Sequence, residues 1–153
     1  MTDQKNDTRI AEILTSTKVI GLVGLSNKPE RASHRVARFL ADKGYRVIGV
    51  NPGLAGQEVF GELVVASVSE LPAETDMIDL FRNSDAVGPI VDEALDALPG
   101  LKTVWMQLEI FNAGARAKAE AKGIAVVEDR CPKIEFPRLF GDRNLAELQE
   151  VSV

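Results

Sequence analysis

One short stretch gathers groups able to hold an anion. It runs Gly24-Leu25-Ser26-Asn27-Lys28 and continues through Arg31 to Ser33. Gly24 has no Cβ, so backbone there can approach a ligand closely. Ser26 and Ser33 offer hydroxyls, and Lys28, Arg31 and Arg35 offer charge. The stretch feeds a helix whose N-terminal amides and dipole favour a phosphate. A plainer account of the same residues is a tight turn at Gly24 and a helix cap at Ser33. The glycines do not spell G-x-G-x-x-G, and no G-x-x-x-x-G-K-[ST] loop occurs in the chain.

Other groups with chemical capacity are few. Arg82 follows a largely apolar run, and arginine matches phosphate in a bidentate fork. The alternative there is a surface ion pair with Asp85 or Glu109. Asp79 lies inside Met77-Ile78-Asp79-Leu80, where a carboxylate must find a partner or titrate abnormally. Cys131, the single cysteine, stands between Arg130 and Lys133, which would lower its thiol pKa if they are close. The commoner fate of a free cysteine is burial as a small hydrophobe. His34 is the only histidine, a ligand-contacting donor or a ring packed on its helix. No Ser-His-Asp or Cys-His pairing is set by spacing, so nothing supports nucleophilic catalysis. Val50 is followed by Asn51-Pro52 rather than by the Asp or Glu of an NAD site or the arginine of an NADP site.

The elements that must position these residues alternate. Residues 1–8 are polar and read as a flexible N-terminus, with the folded domain spanning 9–153. Ile10, Ile13 and Leu14 share one face of a helix over 8–17. Residues 19–23 form an apolar run that fits a parallel strand buried on both faces. A helix opening at Ser33 carries Val36, Ala37, Phe39 and Leu40, and Gly44 stops it. Strands follow at 46–50, at 63–65 in short form, at 76–81, at 103–108 and at 124–127. Helices are expected over 85–97, from an Asn112 cap to Lys122, and in one or two pieces over 134–149, broken near Pro137 and Gly141. This alternation predicts a single α/β domain with a doubly wound, Rossmann-like parallel sheet. A flavodoxin-like strand order is the main rival. In either order, ligands sit beyond the carboxyl ends of the strands. That edge holds the loop after Gly24, Asn51-Pro52, Arg82, Gln107-Leu108 and residues 129–133.

Composition sets the bounds. The chain has 153 residues, 45% hydrophobic and 27% charged, with a net charge of −5. That suits one globular domain and argues against a nucleic-acid partner, which calls for a basic face. No apolar run reaches a membrane span, and the opening MTDQKNDTR is unlike a signal peptide. A cytoplasmic protein is therefore expected. One histidine and one cysteine cannot make a typical structural zinc site.

Several segments in fixed order carry a resemblance. They are VIGLVGLSNKPERASHRVARFL, GYRVIGVNP, Gly61-Glu62, DLFR, VWMQL and EDRCPKIE. Together, over residues 10–138, the chain resembles the small stand-alone CoA-binding proteins of bacteria, the YccU-like group. Their domain is similar to the N-terminal CoA-binding domain of the succinyl-CoA synthetase α subunit. The resemblance implies coenzyme A as ligand. It places the pyrophosphate on Gly24, Ser26, Asn27, Lys28 and Ser33, and the adenosine end near Val50, Asn51 and Pro52. Arg82 is implied as a phosphate-side arginine. The pantetheine arm would pass Gln107 and Leu108, with Cys131 toward the thiol end. Leu54 stands where the synthetase has a lysine, so the 3′-phosphate would fall to Arg82, Lys28 or Arg31. The resemblance does not extend to the synthetase's later phosphohistidine domain, so it implies binding of CoA or an acyl-CoA without ligase activity. An NAD(P)-type oxidoreductase and thiol-redox storage of CoA on Cys131 are the alternative functions.

Overall fold

The computed structural model describes residues 3–151. Five parallel strands form the main sheet: β1 (Val19–Val23), β2 (Arg46–Val50), β5 (Met77–Leu80), β6 (Thr103–Met106) and β7 (Ala125–Val127). Two short strands, β3 (Glu58–Val59) and β4 (Glu62–Leu63), make an antiparallel hairpin outside it. Among the described residues the α-helices are α1 (Asp3–Ser16), α2 (Ala32–Lys43), α3 (Ser84–Ala97), α4 (Ala113–Ala121), α5 (Pro132–Phe140) and α6 (Leu145–Val151).

The sheet order is β2-β1-β5-β6-β7. On these strands alone it matches the flavodoxin-like order. One residue decides otherwise. Val65 bridges Val50 in parallel: its N–H donates to the Gly49 carbonyl at 3.0 Å, and its carbonyl accepts from Asn51 N–H at 2.9 Å. The Val50 carbonyl instead accepts from Gly24, at the end of β1. Backbone groups of successive strand residues point to opposite sides, so Val65 occupies the free edge of β2. The short third strand expected over 63–65 is thus reduced to a single bridge. Counting it gives the Rossmann order 3-2-1-4-5-6.

Apolar side chains of β1 alternate between two cores. Ile20 and Leu22 face α1, α2, α5 and α6, and pack in one cluster with Leu14, Val36, Leu40, Trp105 and Phe136. Val19 and Val23 face α3 and α4, in a second cluster with Ile78, Leu80, Val87, Val91 and Ala119. Every residue of β1, β5 and β6 is buried, as a sheet covered on both faces requires. Gly44 ends α2 in the left-handed region, at φ 110°, which a residue with a Cβ rarely adopts. Asn112 caps α4 by accepting from Ala115 N–H at 2.9 Å.

Four boundaries differ from expectation. The first helix begins at Asp3 rather than Thr8, and Asp7 is tied by the Arg138 guanidinium of α5 at 2.8 and 3.0 Å. Of the segment 1–8, Met1 and Thr2 lie outside the described residues. The strand expected over 103–108 stops at Met106, because the chain turns out of the sheet and Glu109 enters the left-handed region at φ 66°. Ser33 does not cap α2; Arg31 holds the cap position and Ser33 lies in the first turn. Finally, α5 passes through Pro137 and ends at Gly141, whose φ of 64° few other residues tolerate.

The start of β1 is held by a side chain from across the sheet. The Asp76 carboxylate accepts from Val19 N–H at 2.9 Å and from Lys18 N–H at 3.1 Å. The Val19 bond is buried and the Lys18 bond part-buried, so loss of the carboxylate leaves the buried Val19 donor without its partner. Asp76→Ala is therefore expected to lower unfolding free energy by roughly 1–3 kcal/mol, the scale of one orphaned buried donor. Urea denaturation of the two proteins measures the difference.

Candidate functional site

The crevice expected at the switch point opens between β1 and β5, because α2 and α3 leave these neighbouring strands on opposite faces. Gly24 lies at its floor, at φ 92°. A Cβ there would stand 2.7 Å from the Phe81 carbonyl oxygen and 3.2 Å from Arg82 Cδ. Both the backbone angle and the contact exclude a side chain. Gly24 N–H closes the end of β1 onto the Val50 carbonyl at 2.9 Å.

The following loop is pinned from four directions. Ser26 N–H donates to Ser33 Oγ at 3.0 Å, and the Ser26 carbonyl meets His34 Nδ1 at 2.9 Å. Ser26 Oγ accepts from Lys28 N–H at 3.1 Å. Asn51 Nδ2 donates to the Leu25 carbonyl at 2.8 Å, while its Oδ1 takes Gly53 N–H, also at 2.8 Å. Ser33 is buried, and Ser26 and Asn51 are half-buried. These three residues, expected to touch a ligand, hold the loop in shape. The Ser33 and Ser26 hydroxyls keep their own protons to donate.

A cavity of about 350 Å³ lies against this loop, lined by Gly24, Ser26, Lys28, Arg31, Ser33 and Phe81. The first-turn amides of α2 lie beside it with no intrahelical acceptor. Beside it a second cavity is lined by Val50, Pro52, Ser67, Arg82, Ile90 and Glu93. Arg82 is exposed, its stem lies over Gly24 between the two cavities, and it has no ion pair among the described residues. The alternative pairing with Asp85 or Glu109 is not formed. Glu93 and Ser67 are unmarked in the sequence. They arrive through α3 and the turn before β5, where Ser69 N–H donates to Glu93 at 3.0 Å and holds its carboxyl below the usual range.

The remaining expected residues divide. Leu108 is exposed just past the end of β6 and lines neither cavity. Gln107 is buried and turns inward against Asp79, which is fully buried in β5. With its nitrogen toward the acid, Gln107 Nε2 lies 2.7 and 3.1 Å from the two carboxyl oxygens. An amide suits either form of the acid, donating N–H to a carboxylate or accepting O–H from the neutral group. Burial pushes the Asp79 carboxyl well above the ordinary carboxylate range. Cys131 is buried in the core with Phe136 and lines neither cavity. Asn27 and Lys28 are exposed on the loop.

The fold and the crevice define a single Rossmann-like α/β unit, an architecture in which ligands are commonly held at the switch point. Within that architecture the match is specific. Residues 18–137 fit the family model for a CoA binding domain, and the chain belongs to that family. It is 34% identical over 125 residues to the uncharacterized protein YneT of Bacillus subtilis (strain 168), covering 82% of this chain and 90% of that one. A hypothetical protein from Pyrococcus horikoshii OT3 superposes with a TM-score of 0.81 at 38% identity, over 88% of this chain and 92% of that one. An acetyl-coenzyme A synthetase of Ca. Korarchaeum cryptofilum, solved with phosphate and ADP, aligns with a TM-score of 0.62 at 25% identity. That match takes 75% of this chain but 26% of the synthetase.

The Asp79 carboxyl fixes a sign for pH dependence. Its folded-state pKa is raised, so the folded protein holds this proton where the unfolded chain has lost it. Stability from this residue is complete below the ordinary carboxylate range and declines as pH rises above about 4. The decline approaches about 1.4 kcal/mol per pH unit for one proton, until the folded-state pKa is reached. Asp79→Asn cannot titrate. The stability gap between variant and wild type, followed by denaturation from pH 4 to 8, is expected to shift in favour of the variant as pH rises and to level off once the folded-state pKa is passed.

Proposed function

We propose that this chain binds coenzyme A, free or as an acyl thioester, at the crevice floored by Gly24, and performs no catalysis of its own. The observation that carries this reading is the convergence at the switch point. A backbone position closed to any side chain lies beside a hydrogen-bonded loop, the first-turn amides of α2 and Arg82, which has no ion pair among the described residues. Such a surface suits a pyrophosphate, since fixed N–H groups and cations meet it without rearrangement. The pyrophosphate lies along Gly24, Ser26, Asn27, Lys28 and Ser33. The adenosine end extends toward Asn51, Pro52 and the cavity holding Arg82, and the pantetheine arm runs past Leu108, since Gln107 is buried against Asp79 and leaves that surface to it. Membership of the CoA-binding family supports the same ligand.

The alternative functions find less support. An NAD site asks for a ribose-binding acid after β2, and the side chain there, Asn51, has both amide ends engaged by Leu25 and Gly53. A mixed disulfide on Cys131 asks for an accessible sulfur, and this one is buried.

Calorimetric titration of the purified protein with CoA tests the reading. Saturable binding is expected, and Arg82→Ala and Ser33→Ala are each expected to weaken it by about 1–3 kcal/mol. No heat at millimolar CoA would overturn the proposal, as would a larger thermal shift with NAD(H) than with CoA.

A further inference from the structure

His34 is the only histidine in the chain, and it lies beside the anion loop rather than at any catalytic pairing. Its Nδ1 is 2.9 Å from the Ser26 carbonyl oxygen. A carbonyl can only accept, so the ring carries its proton on Nδ1 and donates. This bond decides the direction of one peptide. In a trans peptide the C=O and the next N–H point opposite ways. Holding the Ser26 oxygen on the His34 ring therefore turns the Asn27 N–H away from that ring. That N–H has no hydrogen-bond acceptor among the described residues. The Ser26 N–H, by contrast, is engaged by Ser33 Oγ, whereas the Asn27 amide is a donor the loop keeps free.

The electrostatic consequence is large for so small a group. If the Ser26–Asn27 peptide turned over, a carbonyl dipole would point its negative end where an N–H had pointed. An anion beside the loop would meet repulsion in place of a hydrogen bond.

The His34 ring is itself braced. Phe60, at the tip of the β3–β4 hairpin, lies with its ring centroid 4.9 Å away at an interplanar angle of 58°. Phe60 has φ 52°, a left-handed conformation that phenylalanine rarely adopts. It is also more than a third exposed, so burial in the core does not account for its placement. The hairpin belongs to no part of the main sheet, and this aromatic contact joins its tip to the loop.

We infer that His34 is a positioning residue for the anion site: braced by Phe60, it fixes the Ser26–Asn27 peptide so that the Asn27 N–H serves the phosphate groups of the ligand. The role rests on the CoA-binding reading, since it names how that site is kept in its binding form.

The test uses the intact chain and CoA. His34→Ala is expected to weaken CoA binding about tenfold, the effect of one misdirected donor to a charged group. His34→Asn, whose amide N–H can take the place of Nδ1, is expected to bind within about threefold of wild type. Phe60→Ala is expected to fall between them. Thermal melting checks that all three variants fold. A role confined to packing would leave Asn no better than Ala, so rescue by Asn is the decisive readout. Nitrogen NMR of the lone imidazole is expected to show the Nδ1–H tautomer before and after CoA is added.

If wild type binds CoA and His34→Ala binds equally well, the inference fails and the CoA reading stands. Equal loss in the Ala and Asn variants also overturns it, as does an Nε2–H tautomer. If wild type does not bind CoA, both fall together.

Discussion

Gly24 lies where the ends of β1 and β5 come so close that a single added carbon would strike the Phe81 carbonyl, 2.7 Å away. Much of the crevice follows from that contact. It lets two parallel strands end side by side while their helices depart to opposite faces. It also lays the stem of Arg82 across the floor, 3.2 Å from the position a Cβ would take. A side chain at this point would separate the strand ends and lift the arginine from the loop.

The proposed anion site would be built mainly from backbone, which is how a chain of net charge −5 could form one. Overall charge acts over long distances and is screened by salt, whereas fixed amides act at contact. The side chains nearest the loop are used to hold backbone: Ser33 takes the Ser26 N–H, and Asn51 takes Gly53 N–H while giving its own amide to Leu25. A loop tied this way has lost its conformational freedom during folding, so ordering it need not be set against ligand affinity.

The carboxyl edge also carries polar groups that look inward. Asp79 and Gln107 pair beneath the crevice, and Trp105 Nε1 donates to the Arg130 carbonyl at 2.8 Å, tying β6 to the turn after β7. These contacts satisfy buried polar atoms at the points where strands end and loops begin. An unpaired group there would cost more than the bond contributes. They leave the outer surface of the edge to Leu108, Asn27, Lys28 and Arg82.

How much of this was legible in the residues depends on the range of the interaction. The apolar run of β1, the amphipathic stripe of α2, the stop at Gly44 and the Asn112 cap rest on local periodicity and local hydrogen bonds, so the sequence by itself determined them. It also marked the loop after Gly24 and the abnormal Asp79, because glycine at a strand end and a carboxylate within an apolar run are unusual on their own. The tertiary structure decided the rest. It reduced the third strand to Val65 and so settled the strand order, since one bridge leaves no periodic trace. It moved Ser33 from cap to loop clasp, turned Gln107 inward, buried Cys131 away from the crevice, and brought Glu93 and Phe60 to positions no spacing foretold. Those outcomes depend on which distant segments pack together, and the pattern along the chain records only which face is apolar, not which partner covers it.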